Sequence, residues 1–336
     1  MPTKFFELDW AAQERAINFA SNELNQAPHI LEKDVWVVWV LDAVFRSAFS
    51  DVLSFKGGTS LSKAYGLIDR FSEDVDLTYD IRQFLPGMNF DEDGIPPNRS
   101  QQNKLSKAAR DKLPEWIKNE LAPVLAATIE KDGLRAKLVQ GDNNETLNVD
   151  FESHFAGHSY VRSSVLLEFG ARSTGEPTVA KNIECYAQQV IPAVAFPSAV
   201  VRTMKVERTF WEKATAAHVY SHQEDLKKER FSRHWHDLHY IFKSDHWDAV
   251  RNDKEIARKV AVHKSFFFAE KDKSGNFVDY TTAVAGNIRI IPEGTALQKL
   301  RDDYVMMQES QIVREGAPAF DEILESCAAM EKALNS

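Results

Sequence analysis

The sequence predicts an α+β fold, in which a mixed β-sheet flanked by helices precedes a mainly helical C-terminal part. Three observations lead to this prediction. The segment 52–79 has the pattern of a strand, a glycine turn, a short helix and a second strand. Further strand patterns lie around 145–152, 161–171 and 180–190. Beyond residue 197 the apolar residues recur at helical spacing instead.

The elements on either side of this core are also predicted from local patterns. Apolar residues at helical spacing indicate two N-terminal helices, at 8–25 and 31–49. Residues 86–103 are rich in Pro, Gly, Asp and Asn, which is typical of an exposed loop. A helical stretch follows at about 105–130.

A proline-punctuated segment, 192-PAVAFP-197, is the predicted domain boundary. It divides the chain into a domain of residues 1–195, which holds the strands and the N-terminal helices, and a mainly helical domain of residues 196–336. The helices predicted in the second domain lie near 206–221, 233–243, 253–270, 295–310 and 318–334.

Composition predicts a globular cytoplasmic protein without a membrane partner. Apolar residues make up 43% of the chain and charged residues 27%, which is ordinary for a globular fold. The longest apolar stretch, 35-VWVVWVL-41, is far too short to span a bilayer, and the N-terminus carries acidic residues where a signal peptide needs basic ones. The two cysteines, Cys185 and Cys327, have no spacing that indicates zinc or a disulfide framework.

The net charge of −9 argues against a broad, sequence-indifferent nucleic-acid surface, which is usually basic. Local basic patches remain possible, although charge runs of this kind are more often a solvated helix face. Two groups of residues are candidates: Lys104, Lys107, Arg110 and Lys112, and then Lys205, Arg208, Lys213, Lys227, Lys228, Arg230 and Arg233.

The glycine turn in 55-FKGGTSLSKAYG-66 is a candidate phosphate site. Gly57 and Gly58 let a ligand approach the main chain, and a helix that begins near Ser60 would present unsatisfied amides. The hydroxyls of Thr59 and Ser60 can bond a phosphate or simply cap the helix. Two lysines flank the turn, Lys56 and Lys63, but the spacing is not that of a P-loop, and by itself such a turn is more often just a turn.

Two aspartates follow this turn, in the segment 73-EDVDLTY-79. On a strand, Asp74 and Asp76 point to the same face, because residues two apart share a side. Two unit charges about 4 Å apart repel by roughly 4 kcal/mol at an effective dielectric constant near 20. A divalent cation with a preference for oxygen ligands, such as magnesium, would relieve this repulsion. The alternative is an exposed strand face with solvated carboxylates.

The string 56-KGGTSLSKAYGLIDRFSEDVDL-77 resembles the signature of the DNA-polymerase-β-like nucleotidyltransferases, in which a glycine turn precedes an Asp-x-Asp strand. More narrowly, it resembles the AbiEii/AbiGii toxin family, the toxin half of a bacterial abortive-infection toxin–antitoxin system. An upstream segment that this family shares is present as 32-EKDVWVVWVL-41. The resemblance covers roughly residues 30–240. It implies that residues 1–195 form a nucleotidyltransferase-like catalytic domain.

A third carboxylate is expected on a neighbouring strand. Glu168 in 163-SSVLLEFGAR-172 is an acid within an apolar strand, where an unpaired charge is costly and requires a partner or a metal. Asp150 and Glu152 are rival candidates on another strand. The resemblance favours Glu168, which would join Asp74 and Asp76 as metal ligands.

The resemblance also implies two site residues from the second domain. Lys213 in 206-VERTFWEKATAAHVYS-221 matches the family's motif lysine, which contacts the triphosphate. Asp237 in 233-RHWHDLHYI-241 matches the end of an Arg-Asp-x-Tyr-Asp-Leu segment, whose first Asp and Tyr are replaced by His234 and His236. The spacing of these histidines and His239 does not place all three on one helix face, as a zinc site would require.

These patterns and the resemblance together predict a magnesium-dependent nucleotidyltransferase that uses an NTP and two metal ions. Catalysis would depend on Asp74, Asp76, Glu168, Lys213 and Asp237. The acceptor implied first is the 3′ end of a tRNA, and the second a protein hydroxyl. Activity would arrest growth, and a cognate antitoxin protein would neutralise it. A non-catalytic nucleotide-binding module and a metal-dependent phosphodiesterase remain as alternatives.

Overall fold

The structure is a computed structural model, and it describes residues 2–141, 143–155, 162–223, 230–310, 312–313 and 316–336. The chain forms two compact units, each assembled from separate segments. The first unit comprises Met1–Ala64, Glu73–Pro86 and Lys107–Thr203. The second comprises Tyr65–Ser72, Gly87–Ser106 and Met204–Ser336.

A seven-stranded mixed sheet is the centre of the first unit. In chain order the strands of the described chain are β1 (Thr3–Lys4), β2 (Leu53–Lys56), β3 (Val75–Asp80), β4 (Ala136–Gln140), β5 (Thr146–Phe151), β6 (Ser164–Ser173), β7 (Thr178–Glu184), β8 (Val194–Ala195) and β9 (Ser198–Met204). Across the sheet they lie in the order β4-β5-β6-β3-β2-β9-β7. The short strands β1 and β8 form a separate parallel pair.

Pairing in the middle of the sheet is mixed. Strand β3 runs parallel to β6 and antiparallel to β2, and β2 runs parallel to β9. Strands β4, β5 and β6 form an antiparallel ladder. Every residue of β3 therefore has at least one partner in β2 or β6, and Asp76, Leu77 and Thr78 have a partner in each.

Helices make up most of the remainder. In the described chain they are α1 (Trp10–Leu24), α2 (Pro28–Phe45), α3 (Gly57–Lys63), α4 (Ile81–Phe84), α5 (Arg99–Trp116), α6 (Ala122–Lys131), α7 (Val206–His222), α8 (Ser232–Lys243), α9 (Trp247–Asn252), α10 (Lys254–Phe267), α11 (Tyr280–Thr282), α12 (Gly294–Glu309) and α13 (Phe320–Leu334). A π-helical turn, Ile117–Leu121, joins α5 to α6 without a break.

Helix α2 is the most buried helix of the first unit, because almost its entire circumference is apolar. Trp36 stacks on Phe151 of β5 with ring centroids 4.8 Å apart, which packs the helix against the sheet. A second aromatic cluster surrounds Trp116, whose ring meets those of Tyr79 on β3 and Phe169 on β6 edge-on. These contacts fix helices on β3, β5 and β6, the strands that carry the predicted acids.

The predicted α+β class is confirmed, and most predicted elements lie within a few residues of the observed ones. The structure differs from the local predictions at three points. The sheet includes two strands that were not predicted, β4 and β9, so it extends past the predicted boundary at residue 195. The predicted strand at 180–190 ends at Glu184 and is followed by a 3₁₀ turn. The predicted loop at 86–103 is confirmed over 86–98, but Gly94, Ile95 and Pro96 are buried and helix α5 begins at Arg99.

No helix within the described ranges is both long and apolar enough to cross a membrane.

Candidate active site

Three strands bring together one lysine and two of the predicted acids. Asp76 on β3 is paired with Lys56 of β2 on one side and with Glu168 of β6 on the other. Residues in register on neighbouring strands have side chains about 5 Å apart on the same face. Asp74 lies immediately before β3 and is half-buried, as is Asp76. The sheet register therefore forms a row of Lys56, Asp76 and Glu168, with Asp74 at the start of the central strand.

The first glycine of the turn lies directly against this row. Gly57 has a φ of +79°, a conformation that L side chains rarely adopt. A Cβ atom built on Gly57 would lie 2.0 Å from Oδ2 of Asp76. Glycine is required here for two reasons, the backbone conformation and the space that the Asp76 carboxylate occupies.

The two hydroxyls of the turn are used within the protein. The Thr59 hydroxyl donates to the main-chain oxygen of Asp74 at 2.5 Å, and the Ser60 hydroxyl donates to the oxygen of Gly57 at 2.9 Å. Both side chains are buried. Their protons thus hold the turn and the Asp74 backbone in place, which is the structural alternative to a phosphate contact.

The row of charged side chains changes the pKa of Glu168. Desolvation by the surrounding protein, although the side chain stays partly exposed, raises the pKa of Glu168 to about 7. The charges of Asp76 and Asp74 and a hydrogen bond with Asp76 act in the same direction, and Lys56 opposes them. Near neutral pH Glu168 therefore stays partly protonated, as expected for a carboxyl group beside other negative charges.

This raised pKa predicts a dependence of stability on pH. The ordinary pKa of a glutamate is 4.5, so between that value and about 7 the folded state holds a proton at Glu168 that the unfolded state has lost. The stabilising contribution is complete below pH 4.5 and disappears as the pH rises through about 7. Denaturant titrations of metal-free protein should show this fall, and Glu168→Gln should lack that component. An identical pH dependence in the variant would contradict the assignment.

The rival acids lie elsewhere on the sheet. Asp150 is paired with Ser164, four residues along β6 from Glu168, which corresponds to about 13 Å at 3.3 Å per residue. Glu152 is exposed and forms an ion pair with Arg135 at 3.4 Å. Of the three candidates that the sequence offers, only Glu168 is in register with Asp76.

Lys63 is not available to a phosphate in this structure. Its ammonium group forms an ion pair with Asp34 at 2.6 Å, donates to the main-chain oxygen of Glu184 at 2.8 Å, and lies 3.6 Å from the ring centroid of Tyr186. The Lys63 side chain is only 4% exposed. The predicted contact of Lys63 with a nucleotide would require its ammonium group to leave this buried carboxylate partner.

The acids of the row fit a divalent cation by their chemistry. Carboxylate oxygens are the ligands that magnesium prefers, and the crowding that raises the pKa of Glu168 is what a cation would relieve. As the side chains are arranged here, no group of three or more His, Cys, Asp or Glu residues among the described residues forms a metal site. Asp76 and Glu168 would hold the ion, with Asp74 as the nearest further carboxylate donor along β3.

The second unit brings Lys213 and Asp237 together. Asp237 on α8 is completely buried and accepts two hydrogen bonds from the guanidinium group of Arg70, each 2.8 Å long. Its Oδ2 lies 2.9 Å from Nζ of Lys213 on α7. Burial alone would raise the pKa of Asp237, but Arg70 and Lys213 hold it well below its usual range. Asp237 therefore positions two cations and has no free face for a ligand.

Sequence reasoning missed Arg70 as a member of this cluster. It lies within the string 69-DRFSED-74, directly between the glycine turn and the aspartates. The signal available was an arginine next to Phe71 within the motif that links the glycine turn to the aspartates. Arg70 is 5% exposed, which requires a carboxylate partner, and that partner could be identified only from the fold.

The two histidines that replace family residues are neutral near pH 7. Burial lowers the pKa of His234 to about 3, and the charge of Lys213 acts in the same direction. Burial also lowers the pKa of His236, which has no exposed surface. Burial is the main cause of both shifts, and the cations of this cluster, Arg70 and Lys213, share the one carboxylate of Asp237.

The predicted basic patches are only partly exposed surfaces. The first lies on α5, where Lys104, Lys107 and Arg110 are exposed. In the second, Arg208 is buried against Glu212, Lys213 is buried against Asp237, and Lys227 and Lys228 lie outside the described residues. The second patch is therefore not the continuous solvated surface that its sequence suggests.

A cleft in the second unit contains other lysines. It has a volume of about 730 Å³, and its lining includes Lys264, Lys271 and Lys273 beside the aromatic rings of Phe268 and Phe277. Phe277 is 65% exposed, and the ammonium of Lys271 lies 5.4 Å from its ring centroid. Exposed aromatic rings beside lysines are a common feature of surfaces that bind single-stranded nucleic acid.

The chain was compared with curated proteins and with solved structures. No curated protein matches it. Two solved structures that match over most of their length are MenT4, a nucleotidyltransferase toxin from Mycobacterium tuberculosis H37Rv, and JHP933 from Helicobacter pylori. The first is 16% identical, covers 95% of this chain and 97% of its own, and has a TM-score of 0.42. The second is 14% identical, covers 91% and 89%, and has a TM-score of 0.38.

The family comparison is the decisive one. Residues 39–326 match the family described as the nucleotidyl transferase AbiEii toxin of type IV toxin–antitoxin systems. This range includes the glycine turn, the row of acids, Lys213 and Asp237, and it covers most of the chain. The chain belongs to the AbiEii family of nucleotidyltransferase toxins.

Proposed function

We propose that this nucleotidyltransferase uses magnesium and an NTP to transfer a nucleoside monophosphate to an RNA acceptor in the cytoplasm, with a tRNA 3′ end as the first candidate. The observation that carries the proposal is the row formed by Asp76 and Glu168 on adjacent strands, next to the Gly57–Gly58 turn. As a toxin of a type IV toxin–antitoxin system it has a cognate antitoxin. We propose that its activity arrests growth and that the antitoxin protein neutralises this effect.

The reaction assigned to this site is an in-line displacement. The acceptor hydroxyl oxygen forms a bond with the α-phosphorus, the bond from that phosphorus to the bridging oxygen breaks, and pyrophosphate leaves. Two magnesium ions held by Asp74, Asp76 and Glu168 would polarise the α-phosphate and neutralise charge on the leaving group. Among these three carboxylates, Glu168 would also accept the proton of the acceptor hydroxyl.

The phosphates would be held by the main chain of the turn and by Lys213. Since the hydroxyl protons of Thr59 and Ser60 are engaged inside the protein, the main-chain groups of Gly57 and Gly58 are the part of the turn that a phosphate can approach. Lys56 contributes positive charge beside Asp76. Lys213 is supported by the excess of positive charge in its buried cluster, where Arg70 and Lys213 share a single carboxylate.

We expect Lys213→Met to raise the KM for NTP by about 10- to 100-fold, the range that loss of one charged contact of 1.5–3 kcal/mol produces. Asp237 keeps its bidentate bond with Arg70, so the fold should persist. Steady-state kinetics at varied NTP concentration measure the effect. The matched control is Lys205→Met, which alters an exposed lysine just before the same helix. An unchanged NTP affinity in Lys213→Met would favour a metal-dependent phosphodiesterase, which has no need of a triphosphate contact.

RNA is favoured over a protein hydroxyl as the acceptor by the cleft of the second unit. Three lysines there can contact phosphates, and Phe268 and Phe277 offer exposed rings on which bases can stack. The overall charge of −9 disfavours a large electrostatic footprint, which is consistent with recognition of a short single-stranded end and not of a long duplex.

The test is incubation of purified protein with magnesium and each of four α-³²P-labelled nucleotides in the presence of total tRNA. Label on RNA that is lost in Asp74→Ala would support the proposal and would identify the base. Label on protein would replace RNA with a side-chain hydroxyl as acceptor. Nucleotide binding without label on any acceptor would overturn the proposal in favour of a non-catalytic nucleotide-binding module.

A further inference from the structure

Three consecutive charged residues lie inside the most apolar helix of the chain. Glu32, Lys33 and Asp34 on α2 are 3%, 3% and 1% exposed. Successive helix residues point in directions about 100° apart, so three neighbours reach three different parts of the protein. Charges this deeply buried are tolerated only when each is paired. Their partners therefore reveal what this helix turn is connected to.

The partner of Lys33 lies beside Asp74, and the partner of Asp34 lies at the end of the helix that follows the glycine turn. Nζ of Lys33 lies 2.7 Å from Oε2 of Glu73, the residue before Asp74. Asp34 lies 2.6 Å from Nζ of Lys63, the last residue of the helix that begins at Gly57. All of these residues belong to the first unit.

One further bond closes a circuit. The Thr59 hydroxyl joins the glycine-turn helix to the main-chain oxygen of Asp74. From Lys33 the path passes through Glu73 to Asp74 and then across to Thr59. It continues along α3 to Lys63 and returns to Asp34, the neighbour of Lys33. A closed set of contacts of this kind restricts movement of the Asp74 main chain relative to the turn, because a displacement would break a buried ion pair or the Thr59 hydrogen bond.

Stability alone does not account for these pairs. Replacing a buried ion pair with uncharged residues of similar volume is often neutral or stabilising, because desolvation offsets the attraction. Two adjacent pairs that both lead to the same site are instead what a geometric requirement would produce. Small displacements of a reacting group can cost a factor of about 10² in rate.

We propose that Lys33 and Asp34 are positioning residues of the active site, which fix the Asp74 carboxylate relative to the Gly57–Gly58 turn without contacting a ligand. The inference rests on the proposed function, since it assigns Asp74 to the cation and the turn to the phosphates. It assigns the segment 32-EKD-34, which precedes the matched range 39–326, a role in the geometry of catalysis.

The test removes both charges of one ion pair of the circuit, so that no unpaired charge stays buried. We expect Lys33→Met/Glu73→Gln to unfold near the wild-type temperature, to bind Mn²⁺ at least tenfold more weakly in calorimetry, and to lose at least tenfold in kcat with little change in KM for NTP. The variant that removes the other ion pair, Asp34→Asn/Lys63→Met, should show the same changes. It supplies the test if the first variant fails to fold.

The matched control is Glu32→Gln. Glu32 lies on the same helix turn and is equally buried, but its partners are Ser153 and His154, which are outside the circuit. It should lower the unfolding temperature and leave Mn²⁺ affinity and kcat at the wild-type level. If the circuit had only a structural role, the losses of Mn²⁺ affinity and kcat in all three variants would follow their losses of stability.

The outcomes separate this inference from the function on which it rests. If wild-type protein transfers nucleotides and binds Mn²⁺ while both double variants match it, the positioning role is overturned and the function stands. If the wild-type protein neither binds Mn²⁺ nor transfers a nucleotide, the proposed function fails, and the positioning role fails with it. Loss of Mn²⁺ affinity and kcat without loss of stability in the double variants supports both.

Discussion

Replacing Asp76 with asparagine should lower nucleotidyl transfer by about 10³-fold or more and leave the fold intact. Asparagine keeps the shape of the side chain but removes the charge at the centre of the row. Transfer by this mechanism depends on positioning and charge neutralisation, so loss of a central metal ligand leaves little to replace it. The free energy of unfolding should equal or exceed that of the wild type, because repulsion between Asp76 and Glu168 disappears.

The measurement is transfer of labelled nucleotide to RNA under saturating magnesium, alongside denaturant unfolding. Asp150→Asn is the matched control, since Asp150 is a half-buried acid of the same sheet, on β5, but is paired with Ser164, away from the row. That variant should keep wild-type activity. Full activity in Asp76→Asn, or equal losses in both variants, would rule out the assigned role of the row.

Gly57→Ala should be nearly as damaging, and for a steric reason. The φ of +79° costs an L residue roughly 1–2 kcal/mol. In addition, the new Cβ would lie 2.0 Å from the Asp76 carboxylate and would force that side chain to move. A displacement of this size should reduce transfer by about 10²-fold, beyond the loss of stability.

The chain contains a control that separates these two effects. Gly133 has a φ of +63°, but a Cβ atom there would meet nothing within 4 Å. Gly133→Ala should lose a similar roughly 1–2 kcal/mol of stability and retain activity. Denaturant unfolding and transfer assays on both variants provide the comparison. If Gly57→Ala lost stability only, contact with Asp76 would not be the reason for glycine at this position.

Local sequence patterns were sufficient to predict the fold class and the order of strand, glycine turn, helix and strand over residues 52–79. Strand and helix periodicities over 52–79 are short-range patterns, so they could be detected without knowledge of the fold. The two strands that were missed show where this fails. Strand β9 follows Pro197 directly in a region otherwise helical in pattern, and β4 is a short strand at the end of the sheet, so neither has a long alternating run.

The third carboxylate illustrates the same limit within the site. Sequence identified three acids on strand-like segments, and the resemblance to a family favoured one of them. The choice depends on which strand lies beside β3 and in which register, and a shift of one residue turns every side chain to the other face. The parallel pairing of Asp76 with Glu168 is a long-range contact that no local pattern specifies.

What the sequence determined by itself was which residue types were available and where a turn had to occur: paired aspartates after a double glycine, and the family to which they belong. Only the tertiary structure decided what each polar group does. Lys63, Thr59 and Asp237 were expected at the ligand, yet each is buried with an internal partner. The physical reason is that a buried polar group must be paired, and its partner usually comes from a distant part of the chain.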